Sequence, residues 1–129
     1  MIVLDTHAWL WHVSAPERRS ERARAAIDEE SSVGVCTISA REVAMLVLRG
    51  RIRLDRDVGS WTRQALMQER AHGLPLTAEI AVAAALLGDK GLRGDPADQM
   101  IYATARAHGG RLVTRDEALH AFDPARTVW

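Results

Sequence analysis

The chain has 129 residues, with 17 Lys and Arg against 17 Asp and Glu and a formal net charge of zero. That neutrality counts against a protein that coats nucleic acid over its whole surface. A content of 47% hydrophobic and 26% charged residues excludes a disordered chain, and one cysteine, Cys36, excludes an internal disulfide. A chain of this size can build a core without disulfide or zinc staples, and we read residues 1–129 as one domain.

The opening Met1-Ile2-Val3-Leu4 lacks basic residues, and Asp5 interrupts its apolar run, which is unlike a secretory leader. The longest apolar stretch, Ile80 to Leu87, is too short for a bilayer. The expectation is a soluble cytoplasmic protein with no membrane partner.

Ile2 to Leu4 is a short β-type run ending at Asp5, and Thr6 to Val13 follows as a helix with bulky apolar residues. Pro16 breaks the chain. Glu17 to Glu29 reads as an Ala- and Arg-rich helix, Val33 to Ile38 as a strand, and Ser39 to Leu48 as a helix stopped by Gly50. Val58 to Ala71 reads as an amphipathic helix and Leu74 to Thr77 as a short strand or turn. Ala78 to Leu87 and Pro96 to His108 read as helices. Arg111 to Thr114 is a strand, Asp116 to His120 a short helix, and Thr127 to Trp129 a final edge strand. Strands alternating with helices predict an α/β fold with a mainly parallel sheet.

This order brings acids to one edge. Asp5, Glu42, Asp95, Asp98 and Asp116 each fall where a strand end or a loop feeds a helix, and in a parallel sheet such points share the ligand-binding edge. Each has a plainer role as a helix cap. Ser39 and Glu42 have capping-box spacing, as do Thr114 and Glu117, and Asp95-Pro96-Ala97-Asp98 reads as a cap followed by Pro at the first helical position. Taken together, clustered carboxylates repel one another unless a cation neutralises them, and oxygen donors suit Mg²⁺ or Mn²⁺. Such a centre can polarise a phosphodiester and activate water.

Other chemistries fit less well. Cys36 lies inside an apolar strand and reads as a structural thiol. His7, His12, His72, His108 and His120 show no metal-ligand spacing, though His7 falls close to Asp5. Dehalogenase-type phosphatases need a second aspartate two residues after the first, where this chain has His7. Receiver domains need a lysine after a late strand, and the only lysine is Lys90. The arginine clusters, Arg18, Arg19, Arg22 and Arg24 and then Arg49, Arg51, Arg53 and Arg56, read as solvated faces. Trp9 and Trp11 point in different directions on a helix, so one is expected in the core and the other at an interface.

Four segments carry a family resemblance. The run Ile2-Val3-Leu4-Asp5-Thr6-His7-Ala8-Trp9-Leu10-Trp11 resembles the start of VapC-type PIN domains. Ile38 to Val43 resembles their second acidic motif, Gly94 to Ala105 their third, and Leu112 to Asp116 their fourth. The resemblance implies a PIN-like three-layer fold and Mg²⁺- or Mn²⁺-dependent endoribonuclease activity. It implies Asp5, Glu42, Asp98 and Asp116 as catalytic acids. Asp5 and Asp98 would be the metal ligands, with Glu42 and Asp116 acting through water, and Thr6, Thr114 and Asp95 would support them. It also implies an RNA substrate, a homodimer and a cognate VapB-like antitoxin, with Trp61 and the Glu17–Glu29 helix receiving the antitoxin peptide. Gln99 departs from the pattern, since many relatives carry a basic residue there. A PIN-like scaffold that no longer cleaves is the competing expectation.

Overall fold

The computed structural model describes residues 1–129. Five strands, β1 (Ile2–Leu4), β2 (Val33–Cys36), β3 (Ala71–Leu74), β4 (Arg111–Val113) and β5 (Thr127–Val128), form one sheet in the order β3-β2-β1-β4-β5. Every pairing is parallel, with Leu4 in register with both Val35 and Val113. Seven helices connect them: α1 (Thr6–Ser14), α2 (Glu21–Asp28), α3 (Thr37–Leu48), α4 (Val58–Leu66), α5 (Ala78–Leu86), α6 (Pro96–Ala107) and α7 (Glu117–Phe122). The expected α/β class and parallel sheet are observed.

Strand alternation explains the layers, because successive side chains point to opposite faces. Ile2, Leu4, Val33, Val35, Val113 and Val128 pack with α1 to α4. Val3, Cys36 and Leu112 pack with α5 to α7. The central strands are buried on both faces, hence their near-continuous apolar sequence. No helix is long and apolar enough to cross a membrane.

Several boundaries differ from the sequence expectation, each through a long-range partner. Helix α3 begins at Thr37 rather than Ser39. Ser39 is therefore buried inside the helix, where its hydroxyl accepts from Thr6 Oγ1 at 3.1 Å instead of capping. Helix α4 stops at Leu66, and Ala71 to Leu74 form the third strand, a few residues before the expected one. Pairing with Val33 to Cys36 overrides the helical pattern there, and Arg70 makes the turn at φ 73°. Residues Pro16–Arg18 form a separate 3-10 turn, and Ser20 rather than an earlier residue caps α2.

Of the two tryptophans on α1, one lies in the core, as expected. Trp9 is 1% exposed and meets Trp61 edge-on, ring centroids 4.9 Å apart, whereas Trp11 is half-buried. Trp61 is 4% exposed and donates from its indole N–H to Ser14 Oγ, so it belongs to the core. The groove it lines is bounded by residues 53–56, not by α2.

Truncating Trp9 removes one of the two largest side chains of this layer. Trp9→Ala is expected to cost about 3–5 kcal/mol in urea unfolding. A loss below about 1 kcal/mol would mean that the layer does not depend on it.

Candidate active site

The strand order reverses at β1, since the chain runs outward to β2 and β3 and then returns to β4 and β5 on the other side. The crevice beyond the carboxyl ends of β1 and β4 is the natural ligand site of such a sheet. Asp5 follows β1 directly, and its backbone N–H donates to Val113 O at 3.0 Å, so it stands beside Thr114 at the end of β4. A cavity of about 440 Å³ opens there, lined by Asp5, Glu42, Asp95, Asp98 and Asp116 together with Thr6, His7, Trp11 and Arg115. All five acids singled out in the sequence therefore share one cavity, as does Thr6.

Helix capping fixes three of these acids rather than competing with the site. Asp5 Oδ1 accepts from Ala8 N at 2.8 Å at the start of α1. Asp95 Oδ1 accepts from Ala97 N at 2.9 Å ahead of α6, and Asp116 Oδ1 accepts from Leu119 N at 2.9 Å ahead of α7. One oxygen of each is held by a backbone amide, and the positive ends of three helices converge on the cavity. Asp116, not Thr114, caps α7; the Thr114 hydroxyl accepts from Asp116 N at 3.0 Å and braces the turn. Asp98 lies in the first turn of α6 and Glu42 in α3.

The electrostatics show how crowded the acids are. Asp98 is pushed up to about 7, first by burial and then by Asp116, Asp95, Asp5 and Glu42 in turn. Asp5 is 9% exposed, and burial raises it, while the Thr114 hydroxyl, the Ala8 N–H and His7 pull the other way. The donors are hard oxygens, the class Mg²⁺ and Mn²⁺ prefer. As placed, no three His, Cys, Asp or Glu side chains form a ready-made metal clasp. Cys36, buried and pushed up to about 11 by that burial, is an inert thiol, as its strand position implied.

Three features of the site went unread in the sequence. Gln99 Nε2 donates to Leu92 O at 2.8 Å, which ties the loop ahead of α6 to the helix that carries Asp98. A loop tether thus occupies the position where a basic residue was expected. His120 bonds Thr114 O through Nε2 at 2.6 Å and Thr127 through Nδ1 at 3.1 Å, bracing the end of β4. Arg115, exposed between Thr114 and Asp116, lies with its guanidinium 5.5 Å from the Trp11 ring centroid. Its place between two motif residues was the only available signal.

Comparison with known proteins places the chain in a family. The family model described as PIN domain matches residues 2–123. The chain is 38% identical over 130 residues to Ribonuclease VapC22 of Mycobacterium tuberculosis, covering 99% of this chain and 98% of that protein. A toxin–antitoxin complex from Klebsiella pneumoniae contains a chain that superposes with a TM-score of 0.70 at 20% identity, covering 100% of this chain and 97% of that one. FitAcB from Neisseria gonorrhoeae superposes with a TM-score of 0.61 at 25% identity, covering 98% and 96%.

The raised Asp98 gives a signed pH effect. Its folded value, about 7, lies above the ordinary aspartate value of 3.8, so between them the folded chain holds a proton that the unfolded chain has lost. This group therefore lowers stability as pH rises through that window. Without added metal, Asp98→Asn is expected to stabilise the fold by on the order of 1–2 kcal/mol near pH 8, after allowance for solvent screening, and by little near pH 4. Urea unfolding at both pH values checks it, and an equal gain at each would remove Asp98 from the crowded cluster.

Proposed function

The chain belongs to the PIN-domain family and is of the VapC type, and from that premise we propose that it is a divalent-metal-dependent endoribonuclease, the toxin of a VapBC-like toxin–antitoxin pair. The observation that carries the reading is the shared cavity of Asp5, Glu42, Asp98 and Asp116 at the sheet's reversal point. The Mycobacterium tuberculosis relative is named a ribonuclease.

Asp5 and Asp98 would hold Mg²⁺ or Mn²⁺, with Glu42 and Asp116 reaching it through water. Mg²⁺ is commonly held by only one or two carboxylates and keeps several waters, so the absence of a three-residue clasp agrees with this ligand set. When bound, the cation supplies positive charge opposite the phosphoryl oxygens and acidifies water. The remaining work falls to the chain. The Ala8 amide fixes Asp5, and the Thr114 hydroxyl and the Leu119 amide fix Asp116. The Thr6 hydroxyl locks the start of α1 to Ser39 in α3, the helix that bears Glu42, and Asp95 secures the start of α6 beneath Asp98. Glu42 or Asp116 orients or deprotonates the water that attacks an RNA phosphodiester in line.

The fold shared with a chain of a Klebsiella pneumoniae toxin–antitoxin complex supports a cognate VapB-like antitoxin; that its C-terminal segment, bearing an arginine, enters the acidic cavity is part of the same proposal. Val82 and Leu86, 61% and 53% exposed on α5, offer an apolar face for a second copy in a homodimer. We place this activity in the cytoplasm. The rival reading is a PIN-like scaffold without catalysis.

Purified chain with Mg²⁺ or Mn²⁺ is expected to cleave RNA and to stop on chelation. Asp5→Asn and Asp98→Asn should each lower kcat/KM at least about a hundredfold. Equal cleavage by wild type and both variants would sink the site assignment. Absence of cleavage together with absence of Mg²⁺ and Mn²⁺ binding by calorimetry would favour the scaffold.

A further inference from the structure

The acidic cavity continues along α1 into a second groove of different charge. His7 and Trp11 stand one turn apart on that helix, ring centroids 5.6 Å apart. Trp11 lines both the acidic cavity and the neighbouring groove of about 360 Å³. The second groove is flanked by Arg18, Arg51 and Arg53, all exposed, against one acid, Glu17. The ion pairs of the chain are Met1 with Glu30, Arg41 with Glu42, Asp55 with Arg56, and Asp123 with Arg126. The three groove arginines, and Arg115 at the seam, therefore have no carboxylate partner. The Arg115 guanidinium lies 5.5 Å from the Trp11 centroid and 5.9 Å from that of Trp129, and the two indoles are themselves 5.6 Å apart. Arginines without an ion-pair partner and a set of mutually tilted aromatic rings thus stand together on one flank of a negative cavity.

We propose that a single strand of RNA lies along α1, its reacting phosphate in the acidic cavity, the adjoining base against the Trp11–Arg115 pair, and the following phosphates on Arg51, Arg53 and Arg18. This rests on the ribonuclease reading and names the path of its substrate. Crowded carboxylates repel a phosphodiester, so a substrate that enters them needs attraction from neighbouring charge, and unpaired arginines supply it. Indole faces and guanidinium planes both stack on bases, with little preference for sequence. A base can reach them only when unpaired, which selects single strands over duplexes. The helix sets the spacing: Asp5 and Trp11 are separated by about 9 Å along its axis at ~1.5 Å per residue. An acidic peptide would satisfy the arginines but gives no reason for the aromatic seam beside the cavity.

The test uses the full chain carrying Asp98→Asn, so that nothing is cut, and the fluorescence anisotropy of a labelled single-stranded oligoribonucleotide of about 12 nucleotides. Trp11→Ala and the double variant Arg51→Ala/Arg53→Ala are each expected to weaken binding about tenfold, while Trp11→Phe keeps most of it. The double variant should also flatten the slope of log K against log salt by about 1.4, at ~0.7 per phosphate contact. Circular dichroism confirms that each variant is folded. Unchanged affinity and slope in folded variants would overturn the path, and so would variants that bind RNA normally but lose an acidic peptide. Cleavage by the wild-type chain is measured alongside. If it cleaves and the variants bind normally, only the path is wrong. If it cleaves nothing while the groove variants still lose RNA, the path stands and the ribonuclease reading falls.

Discussion

The fold places like charges together and prevents them from separating. Five carboxylates share one cavity, and the consequence appears at Asp98, which every other member of the group pushes upward. What keeps the group together is backbone. Asp5, Asp95 and Asp116 are each pinned through Oδ1 by an amide in the first turn of a helix. The capping bond holds the carboxylate in position, and the helix dipole offsets part of its charge. Capping a helix and lining the acidic cavity, which look like alternatives in the sequence, are here two uses of one side chain.

The sheet decides where this happens. β1 and β4 are neighbours and parallel, so their carboxyl ends finish side by side. Asp5 and Thr114 are the next residue in each strand, and no loop choice could part them without breaking the ladder. The tethers from Thr6 to Ser39 and from His120 to Thr114 extend the same rigidity outward to α3 and β5. The site is therefore supported by regular elements on every side but its mouth.

Much of this was legible beforehand. The β–α alternation, the parallel sheet and the convergence of the acids follow from local patterns and from the rule about strand ends. The misread features all depend on partners far away in sequence. Ser39 looked like a cap because nothing nearby shows that Thr6 would claim its hydroxyl. The third strand was drawn too late because helical periodicity persists past Leu66, and only its register with β2 ends the helix. Trp61 looked free for a partner because its match with Trp9 spans three connections. Gln99 looked like a missing charge, although its amide serves a carbonyl in the preceding loop.

The layer behind α6 has a consequence for remote positions. Among its buried residues are Ala84 on α5 and Ala97, Ala103 and Ala105 on α6, set between larger side chains such as Ile80 and Ile101, and the two helices pack against each other. A methyl group has no rotamer to change, so bulk added at one of these positions has to be taken up by its neighbours or by a shift of the helix. α6 carries Asp98 in its first turn. Steric pressure applied from α5, the neighbour of α6 in the same layer, is thereby transmitted, as through a lever, to the spacing of the acids at its tip.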